Sequence, residues 1–155
     1  AMPDLIRKIP NIKILFAGKG KLFEQTQDYA RKLQVQDYVD FLGFRKDIAQ
    51  LIALSDIGIS SSKQEGLPMN IAEELYTGLP VVVSEERGHK ELVEHGVNGF
   101  IYPQMDQDSF VQAVVTLVKD PVLRAEMSEN ARRMIQKFTI GNTLKAMANI
   151  YQLYL

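Results

Sequence analysis

The chain has 155 residues, 46 % hydrophobic and 24 % charged, with 18 basic against 19 acidic side chains and a formal net charge of −1. That balance excludes the basic surface that nucleic acid or an anionic membrane requires. The absence of cysteine excludes disulfides and thiolate metal sites, and His89 and His95 are too few imidazoles for a zinc centre.

No apolar run approaches the roughly 18 residues that a transmembrane segment needs, and no signal-peptide pattern is present. Cytoplasmic is therefore the expected location. Ala1-Met2 reads as an appended pair ahead of an internal start, so the chain is expected to be cut from a longer one.

Asn11 to Ala17 is β-rich and runs into the turn Gly18-Lys19-Gly20. Leu22 to Leu33 has apolar side chains at helical spacing. Val39 to Leu42 is a short strand stopped by Gly43. Asp47 is expected to cap a helix that carries Ile48, Ala49, Leu51, Ile52 and Leu54. Ile57 to Ser60 is the third strand, with Asp56 as the turn residue before it. Met69 to Thr77 is the next helix, ended by Gly78 and Pro80. Val81 to Val83 suits a central buried strand. A short helix around His89 to Glu94 and the turn Gly96-Val-Asn-Gly99 lead to a last strand, Phe100 to Tyr102. Ser109 to Val118, Pro121 to Phe138 and Thr143 to Leu155 then read as helices. Met127, Met134, Leu123 and Ile135 are ordinary helix-face packing. Alternating elements of these lengths predict an α/β, Rossmann-like, three-layer domain spanning 1–155. Its sheet has about five mostly parallel strands, with helices on both faces and a helical C-terminal tail.

The informative stretch is Glu65-Gly-Leu-Pro-Met-Asn-Ile-Ala-Glu73, at the junction of a strand-end loop with a helix. In open α/β sheets ligands bind outside the carboxyl ends of the strands. A helix starting near Pro68 or Met69 offers free N–H groups and the positive end of its dipole, which together make an anion site. Gly66 permits close approach, and Pro68 presets the entry angle. Glu65 precedes the helix, and Glu73 lies about one turn in, its side chain leaning back toward the N-terminus. Two carboxylates repel phosphate but accept from hydroxyls, which suits neutral polyols on either side of a phosphate. Base, ribose, pyrophosphate and sugar occur in that order in a nucleotide-diphosphate sugar. A dipole or cap partner and a solvated face are the structural alternatives for these acids.

Six ordered segments carry a resemblance: Ile14 to Gly20, Val39 to Phe44, Leu54 to Ser61, Glu65 to Glu73, Thr77 to Ser84 and Gly96 to Ile101. With them, residues 12 to 138 resemble the C-terminal, donor-binding lobe of a family-four retaining glycosyltransferase of the two-lobed GT-B architecture. The resemblance implies that Glu73 hydrogen-bonds the donor ribose and that Glu65, the catalytic carboxylate, faces the donor sugar. It implies that the loop from Gly66 through Leu67, Pro68, Met69 and Asn70 to Ile71 meets sugar and diphosphate. The nucleobase is implied near Phe44 and Arg45, with Gly18 allowing close backbone approach. Glu91 falls where the family often has an acid. No metal and no cofactor are implied, and the substrate is a nucleotide-sugar, UDP-sugar first because the family uses it most. The basic pair that neutralises the diphosphate would precede residue 1. The N-terminal lobe, which holds the glycan or lipid-linked acceptor, would also be missing, so the fragment alone is expected to be inactive.

The stretch Arg87 to Glu91 resembles transferases of surface-polysaccharide assembly, which place the full enzyme at the inner membrane face by peripheral association. A nucleotide-sugar epimerase lobe and a non-catalytic, receiver-like α/β module are the alternatives. The second would need acids at strand ends where Ala17-Gly18 stand. His89 and His95 are expected in an exposed polar stretch without a catalytic role. Gly18-Lys-Gly20 is not a dinucleotide fingerprint, because the third glycine is replaced by Phe23. Asp47, Asp56 and Asp106 form no metal cluster by sequence. The tail Thr143 to Leu155, with Leu144, Met147, Ala148, Tyr151, Leu153 and Tyr154, is expected to pack on the other lobe and to self-associate without it.

Overall fold

Val81, Val82 and Val83 are all fully buried, and their alternation divides the protein into layers. In a strand successive side chains point to opposite faces. Val82 accordingly joins Leu5, Val111, Val114, Leu117 and Met127 on one side, whereas Val81 and Val83 join Ile71, Leu75, Leu92, Ala131 and Ile135 on the other. The structure, a computed structural model, describes residues 1–154, so Leu155 at the end of the expected tail helix lies outside the described residues.

Five strands are present: β1 (Ile14–Ala17), β2 (Val39–Gly43), β3 (Gly58–Ser60), β4 (Val81–Ser84) and β5 (Gly99–Tyr102). Every pairing is parallel. The hydrogen bonds divide them into a pair, β1–β2, and a triple, β3–β4–β5. The crossover from β2 leads to β3 beside β4, so β2 and β3 do not share a ladder. The connecting helices are α2 (Phe23–Lys32), α3 (Ile48–Ala53), α4 (Met69–Thr77) and α5 (Arg87–Leu92). They are preceded by α1 (Met2–Lys8) and followed by α6 (Gln107–Lys119), α7 (Pro121–Met134) and α8 (Ile140–Gln152).

Helix α1, which the sequence reading did not expect, begins at Met2. Leu5 is 0 % exposed in the core, and Ala1 and Met2 pack against the same cluster. No side chain caps this seven-residue helix, and its sequence signals are Pro3 at the start, Asp4 in the first turn and Arg7 and Lys8 in the last. Helix α4 ends as expected: Gly78 adopts φ +86°, and the N–H groups of Gly78 and Leu79 donate back to Leu75 O and Glu74 O. This is the left-handed cap that glycine accommodates. Arg132 of α7 adds a hydrogen bond from its Nε to Thr77 O, fixing the far end of α4 to the next layer.

Asp47 is the residue before α3, but its carboxylate makes no cap bond. It is held instead by Arg45, whose Nε and Nη2 donate at 2.8 and 2.5 Å. A two-point, charge-assisted pair competes successfully with a single backbone N–H. Among the described residues no helix is long and apolar enough to cross a membrane.

Candidate donor-binding site

Helix α4 opens without a cap. Pro68 stands before it and has no side-chain acceptor to offer. Among the described residues nothing accepts from the first-turn N–H groups of Met69, Asn70 and Ile71, the first returning bond being Ala72 N–H to Pro68 O. By contrast α5, α6 and α7 are closed by the carboxylates of Glu86, Asp106 and Asp120. Three free amides at the positive end of a nine-residue helix attract an anion. Pro68 has no N–H and contributes only the entry angle. Ile71 is fully buried by its side chain, so its amide alone is available.

The other expected residues occupy the ends of parallel strands. Gly18 follows β1 at φ +132°, where its N–H donates to Gly43 O at 2.7 Å, and open space surrounds its Cα. Phe44, just past β2, is 76 % exposed. Arg45 is paired with Asp47. Glu73 is exposed and lines a groove of about 660 Å³ with Lys46, Ile52, Met69, Tyr76 and Phe138. That groove brings the loop after β2 to the start of α4. Leu67 and Met69 are exposed beside it, as are Gly66 and Asn70. Glu65 is half-buried and does not line the groove; it lies against Gly88, the second residue of α5.

The loop that carries Glu65 is held from beneath by side chains the sequence reading did not single out. Ser84 Oγ donates to Ser62 O at 2.6 Å, Tyr102 Oη to Ser60 O at 3.3 Å and Gln104 Nε2 to Lys63 O at 3.0 Å. Glu86 Oε2 accepts from the Glu65 N–H at 3.0 Å. In the sequence Glu86 stands only as the middle of Glu85-Glu86-Arg87, just after β4. Glutamate is a poor N-cap by preference, which is why Glu86 passed unnoticed.

His89 corrects a second expectation, being fully buried. Its Nδ1 donates to Ser84 O at 2.8 Å, and its Nε2 is buried without a hydrogen-bond partner. The cause is its place on the inward face of α5. His95 is exposed as expected, and its Nδ1 accepts from the Ile101 N–H. Glu91 is exposed on α5. Next to Glu73, Glu74 turns inward, its Oε2 buried and unpaired over Gly58, where a Cβ would stand 2.1 Å from it. Burial, and then the neighbouring Glu73 charge, push its carboxyl up to about 7. Among the described residues no three His, Cys, Asp or Glu side chains gather as a metal site.

The family model described as glycosyl transferases group 1 matches residues 1–134. The chain belongs to that family. Among relatives, it is 34 % identical over 151 residues to a putative glycosyltransferase, EpsD, of Bacillus subtilis, covering 97 % of this chain and 40 % of EpsD. It is 33 % identical to an Escherichia coli galactosyltransferase acting from UDP-Gal on α-D-GlcNAc-diphosphoundecaprenol, covering 92 % of this chain and 37 % of that protein. Among solved structures, Anabaena HepE in complex with UDP superimposes with a TM-score of 0.89 at 28 % identity, covering 97 % of this chain and 43 % of HepE. HepE in complex with UDP-glucose gives 0.87. The chain thus spans about two fifths of these relatives. Within the group 1 glycosyltransferase family, its α/β fold with parallel strands and a helical C-terminus is the Rossmann-like one shared with HepE.

Proposed function

We propose that this chain is the C-terminal, donor-binding lobe of a retaining glycosyltransferase and that its ligand is a UDP-sugar. The observation that carries the reading is the uncapped first turn of α4 at the strand-end loop of a group 1 family member. HepE, with UDP and UDP-glucose in its complexes, supports the choice of nucleotide.

In this reading the amides of Met69, Asn70 and Ile71 hold the diphosphate, and Glu73 accepts from the ribose hydroxyls. Gly18, Phe44 and Arg45 border the base, and Gly66 and Leu67 border the sugar beside Glu65. As the bond from the anomeric carbon to the diphosphate oxygen breaks, its electron pair and negative charge pass to the nucleoside diphosphate. Preorganised amides stabilise that charge without reorganising. The acceptor hydroxyl oxygen bonds to the anomeric carbon and gives its proton to the departing diphosphate oxygen. A glycan or lipid-linked acceptor, the basic pair on the diphosphate and a peripheral station at the cytoplasmic membrane face belong to parts beyond this chain. The galactosyltransferase with a diphosphoundecaprenol acceptor supports that assignment.

Calorimetric titration of the chain with UDP, UDP-glucose and GDP tests the reading. Saturable binding of the two uridine ligands is the expected result. Failure of every nucleotide to bind the folded chain would refute it.

A further inference from the structure

We propose that Glu86 is a positioning residue for Glu65: it clasps the backbone of the sugar-facing loop to the first turn of α5. The inference rests on the reading above, in which Glu65 meets the donor sugar.

Glu86 is 8 % exposed, the only buried carboxylate-bearing residue in the core set, and no lysine or arginine pairs with it among the described residues. The His89 ring Nδ1 lies 3.3 Å from its Oε1, and with no lysine or arginine there the buried charge depends on hydrogen bonds to persist. Glu86 has three, all from backbone amides. Its Oε1 accepts from His89 N–H, and its Oε2 accepts from Gly88 N–H at 2.9 Å and from Glu65 N–H at 3.0 Å. Burial pushes its carboxyl upward, but the amides of Gly88, His89 and Glu65, with His89 nearby, outweigh that and hold it below the ordinary value.

Two of these bonds are a helix cap, which any short acceptor supplies. The third reaches 21 residues back in the chain and has no part in capping α5. Only the longer glutamate side chain can bend onto its own helix and still touch Glu65. Gly88 completes the clasp. A Cβ there would stand 2.7 Å from Gly66 O and 2.9 Å from both Glu65 Cβ and Glu65 O, so the two backbones lie in direct contact. Glu65 is thereby fixed at its N–H by a charge-assisted bond and along its chain by a glycine seat, while its own carboxylate carries no such tie in the hydrogen-bond network.

The consequence is a separation of roles along the donor. The diphosphate amides belong to α4, which Gly78 and Arg132 anchor independently. Loosening the clasp therefore affects the sugar end and spares the nucleotide end.

The test compares the wild-type chain with Glu86→Asp and Glu86→Ala. Aspartate keeps the charge and the cap of α5 but is one methylene too short for Glu65. Alanine removes cap and clasp together. Amide hydrogen exchange without nucleotide reads the clasp directly. In Glu86→Asp the Glu65 amide is expected to lose protection while the Gly88 and His89 amides keep theirs. Calorimetry then reads the consequence. UDP-glucose affinity is expected to fall about tenfold in Glu86→Asp with UDP affinity unchanged, because an unfixed backbone must be ordered on binding. A Glu65 amide that stays protected in Glu86→Asp, or equal losses for UDP and UDP-glucose, would overturn the proposal and leave Glu86 a helix cap. A wild-type chain that binds neither ligand would instead sink the donor reading, and the exchange result would then stand or fall by itself.

Discussion

Replacing Glu74 with glutamine is expected to stabilise the chain, and to do so only above mild acidity. Glu74 Oε2 is buried without a partner, and its carboxyl titrates at about 7 rather than its ordinary 4.5. Above pH 7 the unfolded chain holds this carboxylate in water, whereas the folded chain must ionise it under cover. At pH 4.5 the folded state is protonated and the unfolded state half so, and below that the handicap disappears. Linkage over that interval gives about 3 kcal/mol of stability lost between pH 4.5 and pH 8. Glu74→Gln removes the titration. Its amide remains poorly paired at a cost of about 1 kcal/mol, so the net gain at pH 8 is about 2 kcal/mol. Urea denaturation of both proteins at the two pH values, with equal m-values as the control, measures the difference. A variant that is equally stabilised or destabilised at both pH values would show that burial of Glu74 is not the cause.

Glu73→Ala is expected to weaken UDP binding by about 1.5–3 kcal/mol in a chain that remains folded, the range of a hydrogen bond to a charged acceptor; unchanged calorimetric affinity would refute the ribose role. Gly99→Ala puts a Cβ 2.4 Å from Val81 O, a backbone atom that cannot yield, so β4 and β5 are forced apart. A stability loss of about 1–3 kcal/mol is expected by thermal or urea denaturation. Helix α8 exposes Leu144 at 59 %, Met147 at 45 % and Tyr151 at 63 %, and it buries nothing. Leu144→Glu with Met147→Lys should lower self-association in sedimentation experiments and move stability by less than about 0.5 kcal/mol.

Punctuation made part of the fold legible in the sequence. Helix α4 begins and ends where Pro68 and Gly78 said it would, because both residues restrict the backbone locally. The Val81–Val83 run announced a strand covered on both faces without any knowledge of its neighbours. What stayed hidden depends on partners distant in the chain. Arg45 drew Asp47 from its capping role, and the inward face of α5 took His89 out of water. Helix α5 begins two residues earlier than expected because Glu86 caps it, and nothing near Glu86 in the sequence advertises a contact with Glu65. The split of the five strands into a pair and a triple likewise depends on hydrogen bonds between segments distant in the chain, which composition does not carry. At the proposed site, the uncapped start of α4 was readable from a strand-to-helix pattern, whereas the stitches under the loop come from the ends of β4 and β5.

Among the described residues only β4 is hydrogen-bonded to a strand on each side. All four of its residues are buried, and Glu86 stands two positions past its last one. Stiffness is thus concentrated along a single line through the molecule, and the acid-bearing loop is bolted to the end of that line. The β1–β2 pair, where the base is proposed to lie, is the more exposed part of the strand framework. In the proposed reading a donor would then meet a fixed anvil at its sugar and an open shelf at its base.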